Sequence, residues 1–263
     1  MGEALKPFRD RIQIGTKFGI HFDMTSSAPN KPIVPDARPE VIRKSVEESL
    51  KRLQTDHIDI YYQHRQDPKV PVEDVAAVMA DLIQEGKILH WGLSEVDADT
   101  LRRAHAVCPV TAVQNRYSMM ARWYEEMFPV LEELNVGLVA FSPMANGFLT
   151  ARYENGIQFN GDGDYRKIMP QFQADAIEEN KALLQWIQDS PPPRMPHRPV
   201  LLSLDALEKA VDRAIPGTTN PGRLVENGKA ADIVLTADEV KQIDDALDKI
   251  QMSAVFGGTA VKG

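Results

Sequence analysis

The sequence predicts an α/β fold built on parallel strands. Three observations carry that reading: strand-like apolar runs, amphipathic helical stretches between them, and connections short enough to imply right-handed crossovers. The strand-like runs are RIQIGT (11–16), HIDIYYQ (57–63), ILHWGLS (88–94), VTAVQ (110–114), VGLVAFS (136–142) and AIPGT (214–218). The first helix is expected over 38–53, where Val41, Ile42, Val46, Leu50 and Leu53 share one face at helical spacing. A second runs over 72–85 and stops at Gly86, a residue suited to the left-handed turn after a helix. Asp97 or Asp99 can cap a third that runs to Val107, and 123–134 supplies a fourth. A length of 263 residues suits a single α/β barrel of about 250, although periodicity alone leaves an open doubly wound sheet equally available.

Composition narrows the function classes. Apolar residues make up 43% of the chain, enough for a sizeable core, and the net charge of −8 argues against binding a phosphate backbone. The single cysteine, Cys108, excludes an intramolecular disulfide and favours a cytoplasmic setting. The start, MGEALKPFRDR, carries no apolar targeting segment, and no run of 18 apolar residues suggests a membrane span. His21, His57, His90 and His105 lack companions at metal-ligand spacing, so no metal is expected. Neither a GxGxxG nor a GxxxxGK[ST] motif occurs.

Two stretches depart from the alternation. Residues 20–38 read as a long loop directly after the first strand, and long loops in compact domains are usually functional or mobile. Residues 188–200 (QDSPPPRMPHRPV) are too rich in proline for a regular helix.

Reactive groups of parallel α/β domains gather at the C-terminal strand ends. There the sequence delivers Lys17 and Phe18, then Gln63, His64 and Arg65, then Ser94 and Glu95, then Gln114 and Asn115, then Phe141 and Ser142, and last Gly217, Thr218 and Thr219. Lys17 and His64 stand out as a pair. A lysine can lower a neighbour's pKa, and a histidine can orient or protonate a polarised oxygen. The plain alternative is a solvated lysine and a loop-bonded histidine. Arg65 and Asp67 read as a surface ion pair. In IPGTTNPGRLVENGKA (215–230) a helix opens near Pro221, with amides and Arg223 available to a phosphate; the alternative is an ordinary capped helix.

Taken together, these segments resemble the aldo-keto reductase superfamily. IGTKFG (14–19) is similar to the family's third strand with its catalytic lysine, and SVEESLKRLQTDHIDIYYQHR (45–65) to the helix and fourth strand that end in the catalytic histidine. EGKILHWGLSE, TAVQNRYSMM, GLVAFSPMANGFL and IPGTTNPGRLVENGKAADIVLT follow in family order, so the resemblance covers 2–187 and 203–250. It implies a (β/α)8 barrel that binds NADPH and reduces a small aldehyde or ketone. By the same resemblance Lys17 and His64 are catalytic, Ser94 and Gln114 hold the nicotinamide carboxamide, and Phe141 stacks on its ring. Ser142 and Gly147 would meet the pyrophosphate. Gly217, Thr219 and Arg223 would meet the adenosine 2′-phosphate, and Glu226 and Asn227 the adenine. The roles of Asn115 and Glu95 differ between subfamilies.

The family's proton donor is a tyrosine on its second strand, accompanied by an aspartate that pairs with the lysine. No tyrosine precedes Lys17 in this chain, and Asp10 lies in the wrong place to serve as that aspartate. The expectation is therefore a single barrel-like domain over 1–263 without the family's first two strands and first helix, and with little reductase activity. The alternatives are a non-catalytic NADPH-binding scaffold and a decayed fragment. Residues 188–214 replace the family's helix and strand, as an out-of-frame stretch would.

Overall fold

The computed structural model describes residues 1–27, 31–153, 159, 164–189, 213–232 and 235–256. It forms two compact units, Met1–Asn115 with Pro129–Leu138, and Arg116–Phe128 with Val139–Gly263.

The first unit alternates strand and helix as its sequence pattern requires. After a short helix α1 (Gly2–Leu5) come β1 (Gly15–Phe18), the pair β2 (Ile20–Phe22) and β3 (Ile33–Pro35), and helix α2 (Pro39–Leu53). Strand β4 (Ile58–Gln63), helix α3 (Val72–Gln84), strand β5 (Ile88–Ser94), helix α4 (Ala98–Val107), strand β6 (Ala112–Arg116) and helix α5 (Phe128–Leu134) follow. The order β1-β4-β5-β6 is parallel throughout, with Lys17 in register with Tyr62 and Ser94 with Gln114. The α/β class expected from the alternation is observed.

Side-chain alternation along the strands sorts two faces. Phe18 packs its ring 4.7 Å from that of Tyr61, and the Tyr61 hydroxyl donates to Ser45 of α2 at 3.0 Å, so these residues face the helix layer. Ile42 and Val46 of α2 are fully buried, each worth about 1.5–3 kcal/mol, while Val41, Leu50 and Leu53 are only half-covered. On the other face Tyr62 crowds Gly92: a Cβ there would stand 2.5 Å from both the Tyr62 ring and the Ala112 carbonyl. Only glycine lets β5 approach its neighbours so closely.

In the second unit β7 (Gly137–Phe141) pairs in parallel with β8 (Arg213–Ile215). Helices α6 (Ala174–Glu179) and α7 (Lys181–Asp189), then α8 (Pro221–Gly228) and α9 (Ala237–Leu247), complete its described residues. Phe148, Leu183, Leu235 and Leu247 are among the buried residues of its core. Thr236 and Glu239 form a reciprocal cap at the start of α9.

Several elements differ from the sequence expectation. The first strand begins at Gly15 and not at residue 11, because Lys6–Arg11 continues α1 as tight 3-10 turns. Arg9 anchors those turns on Asp59 (2.7 Å) and Thr55 (2.9 Å). The stretch 20–38 holds an antiparallel hairpin, in which Phe22 lies opposite Ile33 and Ile20 opposite Pro35, so these four residues share one face. The helix expected over 123–134 is a 3-10 turn, Glu125–Met127, followed by α5, which starts where Pro129 fits a first helical turn. Strand β8 ends at Ile215 because Pro216 has no amide for the ladder. Of the two possible caps of α4, Asp97 accepts the Thr100 amide at 2.7 Å. Residues 190–212, and so most of the proline-rich stretch with its proposed reading-frame shift, lie outside the described residues.

Candidate active site

Lys17 lies on the face of β1 opposite Phe18, beside Tyr62. His64 follows β4 directly, and its amide donates to the Phe18 carbonyl at 2.9 Å, extending the β1–β4 ladder by one bond. This is why the two residues meet: neighbouring parallel strands in fixed register deliver them to the same rim. Burial lowers the His64 pKa to about 4, with the nearby charges of Arg65 and Lys17 adding to the effect. Burial, and then Arg65, also lower the pKa of Lys17. At neutral pH His64 is therefore an uncharged imidazole that can donate one hydrogen bond.

Arg65 corrects an expectation. Its partner is Glu95, at 2.8 Å, and not Asp67. The Asp67 carboxylate is buried and accepts the amides of Ala37 (3.0 Å) and Lys69 (2.9 Å), closing the loop after β4. Arg65 also donates to the His64 carbonyl at 2.6 Å and lies 3.4 Å from the Ser94 hydroxyl. Ser94 is almost fully buried and donates to the Gln114 carbonyl at 2.8 Å, which ties the ends of β5 and β6. The Glu95 amide donates to Asn115 Oδ1 at 2.8 Å. Lys17, His64, Ser94 and Gln114 thus all stand at consecutive C-terminal strand ends of the first unit.

The second unit contains a cavity of about 830 Å³. Phe141, Ser142, Gly147, Gly217, Thr219, Arg223, Glu226 and Asn227 all line it. These come from three separate stretches: the end of β7 and its loop, the loop after β8, and α8. The β7 loop is shaped by left-handed backbone at Ser142, Ala145 and Asn146 and at Gly147 (φ +94), which suits glycine. Asn220 accepts the Arg223 amide at 3.1 Å, so α8 opens at Pro221 with a side-chain cap. One face of Phe141 carries the Arg116 guanidinium, 4.8 Å from the ring centre.

The sequence reading missed Asn146, Arg152, Tyr153 and Arg166, which also line the cavity. Arg166 donates to the Tyr153 hydroxyl at 2.8 Å, lies 4.4 Å from the Phe159 ring centre and pairs with Asp164. The Asp164 pKa falls to about 2 because of that hydrogen-bonded pair. Their place rests on contacts between side chains, which leave no periodic mark in the sequence. The side-chain atoms Asn146 Oδ1 and Asn227 Nδ2 are buried without a hydrogen-bond partner among the described residues. Among the described residues no group of three or more His, Cys, Asp or Glu could hold a metal, and no helix is long and apolar enough to cross a membrane.

The model of the aldo/keto reductase family matches residues 1–248. A curated relative, probable aldo-keto reductase 1 of Glycine max, is 36% identical over 267 residues, covering 100% of this chain and 74% of the relative. Among solved structures, the glycerol dehydrogenase AKR11B4 from Gluconobacter oxydans superposes with a TM-score of 0.83 at 27% identity, over 95% of this chain and 76% of that one. The holo form of the aldo-keto reductase AKR11C1 from Bacillus halodurans shares the fold, with a TM-score of 0.72 at 24% identity, over 97% of this chain and 78% of that one.

Proposed function

Since this chain belongs to the aldo/keto reductase family, we propose that it binds NADPH and that its carbonyl chemistry is the reduction of a small aldehyde or ketone. The observation that carries the reading is the cavity: eight of the ten residues expected to hold the cofactor line it, and the other two are Ser94 and Gln114.

The cavity's chemistry fits a dinucleotide. Arg152 and Arg223 line it against the single carboxylate of Glu226 among the described residues, the Arg166 fork being held by Asp164, and cationic forks suit phosphate oxygens. Asn146 and Asn227 offer a buried acceptor and a buried donor that have no partner among the described residues. Buried polar groups are rarely left unpaired, and the edge of a base would satisfy both kinds. Arg223, with Gly217 and Thr219, would take the 2′-phosphate, while Glu226 and Asn227 would take the adenine. Ser142 and Gly147 would face the pyrophosphate and Phe141 the nicotinamide. When bound, the cofactor supplies hydride.

The chain's own residues then act on the carbonyl oxygen. His64, uncharged, directs a hydrogen bond to it, and the Lys17 charge stabilises the alkoxide as it develops. His64 holds no acidic proton at neutral pH, because its pKa lies near 4. Among the described residues no tyrosine hydroxyl is hydrogen-bonded to either group. This favours a second reading for the 263 residues as they stand, in which NADPH binds and reduction is slow.

The test is a parallel titration with NADPH and NADH. NADPH should bind at least tenfold tighter, and Arg223→Met should remove most of the difference while leaving NADH affinity nearly unchanged. Equal affinity for the two in the unaltered chain would sink the 2′-phosphate assignment.

A further inference from the structure

Arg65 stands where three strand ends meet. Its Nη1 donates to the His64 carbonyl (2.6 Å) and lies 3.4 Å from the Ser94 hydroxyl, and its Nη2 pairs with Glu95 at 2.8 Å. Glu95 is fixed in its turn. Its backbone is left-handed (φ 52), its amide donates to Asn115 Oδ1 at 2.8 Å, and its side chain is 15% exposed. A left-handed non-glycine residue costs roughly 1–2 kcal/mol, so Glu95 keeps this shape because both its amide and its carboxylate are held. The chain of contacts runs from β6 through Asn115 to Glu95, on to Arg65, and so to the residue that follows β4.

We propose that Arg65 is a positioning residue of this site: clamped by Glu95, it fixes the strand end that carries His64 against the neighbouring strand and keeps a permanent positive charge beside the imidazole. The proposal rests on the reading of His64 as the group that orients the carbonyl. An arginine suits the task where a lysine would not, because its planar fork meets the Glu95 carboxylate and the His64 carbonyl from separate nitrogens. Its charge also persists at every pH at which the protein is folded.

The electrostatic consequence follows from the neighbours. Around the imidazole stand Lys17 from β1, Arg65 from the same loop and, beyond Arg65, Glu95 from the end of β5. Both cations oppose a proton on the ring, in the same direction as its burial. His64 is thereby held as a hydrogen-bond donor that does not titrate near neutrality. Lys17 is subject to the same repulsion from Arg65.

The experiment is an NMR titration of the His64 ring in the cofactor-free chain, in the unaltered protein and in Arg65→Met, Arg65→Lys and Glu95→Gln. Arg65→Met is expected to raise the midpoint by about one unit, a tenfold gain in proton affinity, and Arg65→Lys, which keeps the charge without the fork, to raise it less. Glu95→Gln keeps an acceptor for the Arg65 fork while removing its countercharge, and should leave the midpoint at or below that of the unaltered chain. An unmoved midpoint in Arg65→Met overturns the proposal. So does a rise in Glu95→Gln, where the Arg65 fork keeps an acceptor and its charge is no longer offset; this arm decides the matter even if Arg65→Met does not fold. Because no cofactor is present, the outcome is separate from whether the chain binds NADPH.

Discussion

The Arg116 guanidinium lies 4.8 Å from the centre of the Phe141 ring and 5.5 Å from that of Phe256. Arg116 is 6% exposed, so its stem and charge are both buried in contact with aromatic faces. Replacing it with alanine removes the stack and opens a gap beneath Phe141. The expected result is a loss of about 2–4 kcal/mol in urea unfolding, together with weaker NADPH binding because the ring loses its backing. Unfolding indistinguishable from that of the unaltered chain would show the stack to be incidental.

Gly92→Ala places a methyl group 2.5 Å from the Ala112 carbonyl and from the Tyr62 ring. The carbonyl belongs to a neighbouring strand and cannot move without breaking the register of β5 and β6. Overpacking of this kind costs about 1–3 kcal/mol, and backbone collision puts this case at the upper end. A denaturant midpoint unchanged from that of the unaltered chain would contradict the close packing of these strands.

The pH dependence of stability carries a signature of His64. Its ring has a pKa of about 4 in the folded chain, against 6.5 ordinarily. Between those values the unfolded chain takes up a proton that the folded chain refuses, so stability falls as the pH drops through this window. The contribution is fully present above about 6.5. The melting temperature of His64→Gln should decline less between pH 6.5 and 4 than that of the unaltered chain. Parallel curves would show that the ring titrates normally.

Much of the first unit was legible because its strands are long enough to show alternation and its helices carry an apolar stripe. Lys17 and His64 could be placed at one rim from strand ends alone. Arg65 could not be paired correctly: Asp67 is two residues away in sequence, but its carboxylate turns inward to two backbone amides, while Glu95 comes from the next strand. The hairpin at 20–35 was read as a loop because its strands have three residues each, too few to establish a period. In the second unit, the residues that match the family were found in the cavity wall, whereas Arg166 and Tyr153 were missed. Their place depends on stacking with Phe159 and pairing with Asp164, contacts that leave no periodic mark.

Asn227 tests the base-binding end of the cavity. Its Nδ2 is buried without a partner among the described residues, so Asn227→Asp would replace a donor by an acceptor at nearly constant shape. NADPH affinity should fall by about tenfold, in line with about 1.4 kcal/mol for one lost hydrogen bond. An affinity that does not change would place the adenine elsewhere.

The central claim is that the cavity lined by Phe141, Ser142, Arg223 and Asn227 is a cofactor site. Its most direct test is fluorescence titration of the purified 263-residue chain with NADPH. The account predicts saturable, one-to-one quenching with an affinity near the micromolar range, about −8 kcal/mol. Absence of saturable binding up to millimolar NADPH, in a chain that unfolds cooperatively, would contradict it.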